Sequence, residues 1–164
     1  MKLYHGTNQD IESIDVHAGL KYKDFGQGFY LTPDLETAER MAEKKAKLFG
    51  GTPTIITYEY TEPQEHSGIN VKAFPEKATA EWFEFIYKNR DRHSTEAHHD
   101  FDIVSGPIAD DGVVLQLSSY RTGVIKQAED AAVLLQDKYL DQQYCFCSQK
   151  SVSLLKKKGV CQKK

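Results

Sequence analysis

Three short stretches of the 164-residue chain carry side chains suited to holding a flat, charged ligand. The first is His5-Gly6-Thr7. A glycine directly after a short strand lets another group approach the backbone closely. Its N–H and C=O can grip a planar carboxamide by two hydrogen bonds, and His5 can donate to a hydroxyl. The same dipeptide is also an ordinary turn signal. The second stretch runs from Asp24 to Thr32 and contains Phe25, Gly26, Gln27, Gly28, Phe29 and Tyr30. Its Gly-x-Gly spacing is a poor phosphate cradle, because no Lys-Ser/Thr follows and it enters a strand rather than a helix. A better account is a flexible turn that delivers Tyr30 to a cleft. There its ring face would stack on a flat cation, worth about 0.5–2 kcal/mol.

The third stretch is Asp141-Gln142-Gln143-Tyr144-Cys145-Phe146-Cys147. Strand alternation puts Gln143, Cys145 and Cys147 on one face and Gln142, Tyr144 and Phe146 on the other. The aromatics suit a core face, so Gln143 is expected to project, with small neighbours, toward open space. An edge strand with a polar exposed face is the plain alternative. Two rival chemistries are weaker. Cys145 and Cys147 with His93, His98 and His99 would suggest zinc, but the histidine spacing matches no compact ligand pair. Phe83, Phe85 and Tyr87 beside Lys88, Arg90 and Arg92 would suggest base stacking, but helical spacing favours core packing.

The elements that must position these residues follow from periodicity. Lys2–Tyr4 predicts a first strand that exits through His5-Gly6-Thr7. Residues 28–32 predict a second. Pro33-Asp34 opens a helix whose stripe is Leu35, Ala38, Met41, Ala42 and Leu48, and Gly50-Gly51 ends it. Residues 54–61 alternate and are rich in β-branched and aromatic types, so they predict a strand. Residues 78–90 predict an amphipathic helix with a heavy aromatic face. After a polar, His-rich loop, residues 101–105 predict a strand broken by Gly106-Pro107. Residues 113–117 are ambiguous, 127–138 predict a helix, and 142–147 a last strand. Mixed elements without a βαβ rhythm favour an α+β fold.

The chain length suits one domain over residues 1–155, followed by a basic, solvated tail at 156–164. That tail holds five lysines and no acid, leaving 16 basic against 24 acidic residues elsewhere, a net charge of −8. Such a body argues against a broad nucleic-acid-binding face. No apolar run is long enough to span a bilayer, and the start lacks a signal-peptide pattern. With three cysteines and no paired framework, the expectation is a cytoplasmic protein with no membrane partner.

Taken together, the three stretches resemble the His–Tyr–Glu branch of the ADP-ribosyltransferase superfamily, which includes the diphtheria-toxin-like and poly(ADP-ribose) polymerase-like enzymes. The chain is more closely similar to a bacterial family known as DUF3990. The similarity is carried by His5-Gly6-Thr7, by residues 24–32, by Glu81-Trp82 through Asn89-Arg90, by residues 100–111, and by Gln143–Phe146. It covers nearly the whole chain except the lysine tail.

The resemblance implies two facing, mainly antiparallel sheets with flanking helices and an NAD⁺ cleft. His5 would bond the adenosine-side ribose, and the Gly6 backbone would clamp the nicotinamide carboxamide. Tyr30 would stack on the nicotinamide ring, with Thr7, Phe25 and Gly28 around it. Gln143 would contact the nicotinamide-side ribose, where the branch usually has Glu. The chemistry is displacement of nicotinamide through an oxocarbenium-like transition state, which needs orientation and charge stabilisation more than acid catalysis. Neutral Gln143 cannot be a general base. Transfer of a single ADP-ribose is therefore expected rather than chain elongation. A base would come from Asp102, Asp110 or Asp111, the last being the candidate catalytic acid, although for each acid taken singly a turn or cap role is the plainer reading.

NAD⁺ is thus the expected co-substrate, with no metal. The expected acceptor is a macromolecule, protein rather than nucleic acid. A toxin-type role would bring an antitoxin-like partner. The same fold would also serve as an NAD⁺ glycohydrolase, as a transferase acting on an RNA 2′-phosphate, or as a domain that binds NAD⁺ or ADP-ribose without turnover.

Overall fold

A computed structural model describes residues 1–163. It contains two open, mainly antiparallel sheets with helices around them, so the α+β expectation holds at that level. Strand β1 (Lys2–Thr7) pairs antiparallel with β3 (Thr54–Tyr60), and β3 pairs antiparallel with β7 (Leu155–Gln162), giving a three-stranded sheet. The second sheet has the order β2 (Phe29–Leu31), β6 (Gln142–Phe146), β5 (Ile103–Pro107) and β4 (Val71–Ala73). Only the β4–β5 pair is parallel within it. A single bridge between Tyr4 and Thr32 joins the sheets, and beyond it they part.

Strand alternation explains the core between them. Leu3, Ile56, Tyr58 and Tyr60 of the first sheet meet Phe29, Leu31, Ile103 and Phe146 of the second in one apolar cluster. The opposite face of the second sheet, with Val104 and Cys145, packs against α2 (Ala80–Asn89) through Trp82, Phe83 and Ile86. Helices α3 (Asp111–Arg121) and α4 (Ala128–Leu135) complete that layer with Val113, Leu117, Ala131 and Leu135. Trp82 and Phe83 of α2 are therefore core, as helical spacing suggests, and Phe85 and Tyr87 pack half-buried against it.

Helix α1 (Leu35–Phe49) begins at Asp34, whose carboxylate caps the Thr37 N–H at 2.8 Å, and ends at Gly50 with φ 76°. Its buried face is Thr37, Ala38 and Ala42, while Leu35, Met41 and Leu48 are exposed. The packing face is thus narrower and smaller than the predicted stripe. Small residues let the helix settle directly on β1.

Other boundaries depart from the sequence expectation. His5-Gly6-Thr7 continues β1 rather than leaving it, because His5 and Thr7 sit opposite Ile56 and Thr54 on β3. Gly106 and Pro107 lie within β5 rather than breaking it. The pair stays in register with Gln143 and Gln142. Residues 156–162 are not a frayed tail but part of β7, an edge strand. The lysines there satisfy acids: Lys157 pairs with Asp10, Lys158 with Glu59, and Lys163 with Glu39. Three lysines of the basic run are thus paired, Lys164 lies outside the described residues, and charged side chains along an edge also discourage strand addition. No helix among the described residues is long and apolar enough to cross a membrane.

Candidate functional site

Where the two sheets part beyond the Tyr4–Thr32 bridge, a cavity of about 450 Å³ opens between β1, α1, the 22–24 segment and the end of β6. Four of the sequence candidates line it: His5, Gly6, Tyr30 and Gln143. They come from β1, β2 and β6, so three distant stretches converge on one space. Its size falls in the range of small-ligand sites.

Gly6 turns its backbone N–H and C=O away from β3. Met1 exchanges both backbone bonds with Tyr60, so odd positions of β1 bond to β3. Tyr4 turns its N–H and C=O the other way, toward Thr32, and Gly6 has the same parity. The Gly6 carbonyl accepts from the Lys45 ammonium at 2.8 Å. Glycine is required here by space: an added Cβ would stand 2.1 Å from the Ala38 carbonyl oxygen of α1.

His5 is held by two contacts. Its ring stacks on Phe29 at 4.3 Å between centroids, and Nδ1 lies 2.6 Å from the Tyr30 carbonyl oxygen. A carbonyl only accepts, so Nδ1 carries the proton. Burial, aided by Lys45, pushes the His5 pKa down to about 3 and keeps the ring neutral. Nε2 is then an acceptor. His5 is suited to receive a hydroxyl proton rather than to donate, the reverse of the sequence expectation.

Tyr30 lines the cavity and is anchored at its tip. The hydroxyl donates to the Gly26 carbonyl at 2.6 Å and accepts from the Phe25 N–H at 3.0 Å. Burial raises its pKa well above the usual tyrosine value. Gly26, at φ 80°, makes the turn that brings these groups together. The Lys23 ammonium lies 4.6 Å from the centre of the Tyr30 ring.

Gln143 is largely buried from solvent and lines the cavity. Its Nε2 donates to Asp24 Oδ2 at 2.8 Å and to the Pro107 carbonyl at 3.2 Å. Both amide protons are used, which leaves Oε1 as the group able to accept from a ligand. Asp24 is the acid that the sequence argument missed. Its Oδ2 also takes the Ala109 N–H at 2.9 Å, and its Oδ1 binds Arg90 at 2.7 Å. Asp24 opens the second stretch, but its partners lie 66, 85 and 119 residues away, beyond the reach of local pattern.

The remaining candidates lie elsewhere. Thr7 is buried at the end of β1, and Phe25 is buried in the helical core. Gly28 supports the pairing of β2 with β6, since an added Cβ would lie 2.5 Å from Cys145 Sγ. None of the three lines the cavity. Asp111 is an exposed residue in the first turn of α3, and Asp110 is its N-cap, donated to by Val113 N–H at 3.1 Å. Asp102 is buried against Lys150 and the Asn70 N–H. These three acids serve as caps and structural partners, and none faces the cavity. The thiols of Cys145 and Cys147 lie 3.2 Å apart, and among the described residues no group of three or more His, Cys, Asp or Glu is placed to hold a metal.

Four cations line the cavity, Lys23, Lys44, Lys45 and Arg90, against the single acid Asp24. In a chain of net charge −3 this is a concentrated positive site. Burial lowers the pKa of Lys23, and burial together with Lys23 lowers that of Lys45 to about 8. The lysines escaped the sequence argument because Lys44 and Lys45 look like a solvated helix face.

Fold and site together define an α+β protein with a cationic, glycine-floored pocket at the seam of two sheets. The chain belongs to the DUF3990 family, whose model, described as a protein of unknown function, matches residues 1–157. No curated protein and no solved structure matches it.

Proposed function

We propose that the cavity binds NAD⁺ and that the protein transfers a single ADP-ribose from it to a macromolecular acceptor. The observation that carries this is the convergence of His5, Gly6, Tyr30 and Gln143, chosen from separate stretches, on one cavity. The cationic lining adds a place for the pyrophosphate. The Gly6 N–H and C=O suit a carboxamide, the Tyr30 face suits the nicotinamide ring, and His5 Nε2 suits a ribose hydroxyl. Gln143 Oε1 accepts from the second ribose, and the Asp24 carboxylate behind it favours positive charge developing at the anomeric carbon. On this account the fold is ADP-ribosyltransferase-like.

The reaction breaks the bond from the ribose anomeric carbon to the pyridinium nitrogen, whose electron pair leaves with nicotinamide. The acceptor's nucleophile then bonds to that carbon and loses its proton. Both Asp24 oxygens are committed to partners, so the proton passes to a group on the acceptor or to water. The same commitment favours a second account, in which the domain binds NAD⁺ or ADP-ribose without turnover. Incubation with NAD⁺ labelled in its adenylate and with cell extract separates the two. Label in protein supports transfer, free ADP-ribose supports hydrolysis, and bound but intact NAD⁺ supports the binding domain. If label is neither bound nor converted, the proposal fails.

A further inference from the structure

Two surfaces assigned above to the nicotinamide are already engaged by ammonium groups. Lys45 donates to the Gly6 carbonyl at 2.8 Å, and Lys23 lies 4.6 Å over the Tyr30 ring. A carboxamide clamped on Gly6 needs that carbonyl. A pyridinium stacked on Tyr30 needs that ring face, and it is itself a cation. With both lysines where they stand, the ring meets a steric obstacle and like charge at once. The lysines are also poorly placed for themselves: both are half-buried, burial lowers the pKa of each, and Lys23 lowers that of Lys45 further.

Among the described residues neither lysine forms an ion pair with a carboxylate, although Asp24 favours the charged form of Lys23 from further off. Their seats are a carbonyl and an aromatic face, which are weak counterparts for a half-buried ammonium. Lys44 and Arg90 line the same cavity, and Arg90 is already paired with Asp24. A dianion held between Lys23 and Lys45 would meet two ammonium groups, neither of them in an ion pair among the described residues. It would draw both away from Gly6 and Tyr30, and so free the ring site.

We propose that Lys23 and Lys45 form a phosphoanhydride site that doubles as a plug on the ring site, so that an anion must bind before a pyridine carboxamide can. This rests on the NAD⁺ assignment for the identity of the ring ligand, but the anion site stands on the lysines alone. The two half-sites are then coupled: pyrophosphate strengthens nicotinamide binding, and by reciprocity nicotinamide strengthens pyrophosphate binding by the same factor. NAD⁺ carries both groups and supplies its own trigger. A nicotinamide fragment without a phosphoanhydride does not.

The test is calorimetric titration of nicotinamide into the full chain with and without saturating inorganic pyrophosphate. The expected result is affinity about tenfold higher with pyrophosphate, within the usual range of coupling. In the variant carrying Lys23→Gln and Lys45→Gln, pyrophosphate binding weakens at least about tenfold, and nicotinamide affinity no longer depends on it. Single variants and a melting curve guard against a double variant that does not fold. Equal nicotinamide affinity in both conditions overturns the coupling, and pyrophosphate binding unaltered by the lysine changes overturns the site. Pyrophosphate binding that depends on the lysines, in a parent that binds neither NAD⁺ nor nicotinamide, overturns the NAD⁺ assignment and the plug while leaving the anion site in place.

Discussion

Gln143 donates from Nε2 to Asp24 Oδ2 at 2.8 Å inside the protein. This bond accounts for the glutamine. A glutamate at 143 would set a second carboxylate against Asp24 and against the Pro107 carbonyl, with no proton to offer either. The chain keeps its negative charge one residue further back and uses the amide to present an oxygen to the cavity.

Replacing Asp24 with Asn therefore leaves Arg90 without its counter-charge and opposes two amide groups. The expected loss of stability is about 2–3 kcal/mol. Gln143→Glu is expected to lose stability as well, not to gain activity. Urea denaturation of the two variants checks this, and losses under about 0.5 kcal/mol in both would contradict the network.

His5 gives the fold a dependence on pH. Its folded pKa of about 3 lies below the ordinary histidine value of about 6.5. Between these values the unfolded chain takes up a proton that the folded chain refuses. Stability from this residue is thus present above about pH 6.5 and falls as pH drops toward 3, by at most about 1.4 kcal/mol per unit. The part-exposed edge of the ring reduces that slope. Melting temperatures of the parent and of His5→Asn from pH 7 to pH 4 should converge on acidification. Parallel curves would show that His5 titrates normally.

Gly6→Ala tests the seating of α1 on β1. A Cβ at 2.1 Å from the Ala38 carbonyl forces the helix outward. Overpacking of this kind costs about 1–3 kcal/mol, and here the displaced helix carries Lys45 away from the cavity. Chemical denaturation reads the cost; a change within about 0.5 kcal/mol would mean that the contact is slack.

Strand β7 provides a further check. Stopping the chain after Leu154 strips β3 of its partner along Thr54–Tyr60 and leaves a two-stranded remnant with β1. Such a pair is marginal in water, so the truncated chain should lose at least about 3 kcal/mol or its cooperative transition. An unchanged melting curve would restore residues 156–162 to the status of a tail.

Period-based arguments found what local chemistry decides. The Asp34 cap, the Gly50 stop, the alternating β3 and the aromatic α2 all write their signals within a few residues. Local turn and strand motifs, together with the family resemblance, singled out His5, Gly6, Tyr30 and Gln143. What they missed depends on distant partners. Nothing near Lys156–Lys158 announces that Asp10 and Glu59 will neutralise two of those charges, so β7 looked like a solvated run. The short β4 exists because Asn70 and Ser105 offer carbonyls to residues beside it, a tertiary fact. Asp24 was hidden for the same reason, and Asp111 looked catalytic only because nothing in sequence distinguishes an acid in the first turn of a helix from one in a cleft.

The central claim is that His5, Gly6, Tyr30 and Gln143 form an NAD⁺ pocket. Calorimetric titration of NAD⁺ into the parent, Tyr30→Ala and His5→Ala tests it most directly. Saturable binding by the parent, weakened at least about tenfold in each variant, a loss of about 1.4 kcal/mol, is the predicted result. No heat of binding in the parent, or equal affinity in all three folded proteins, would contradict it.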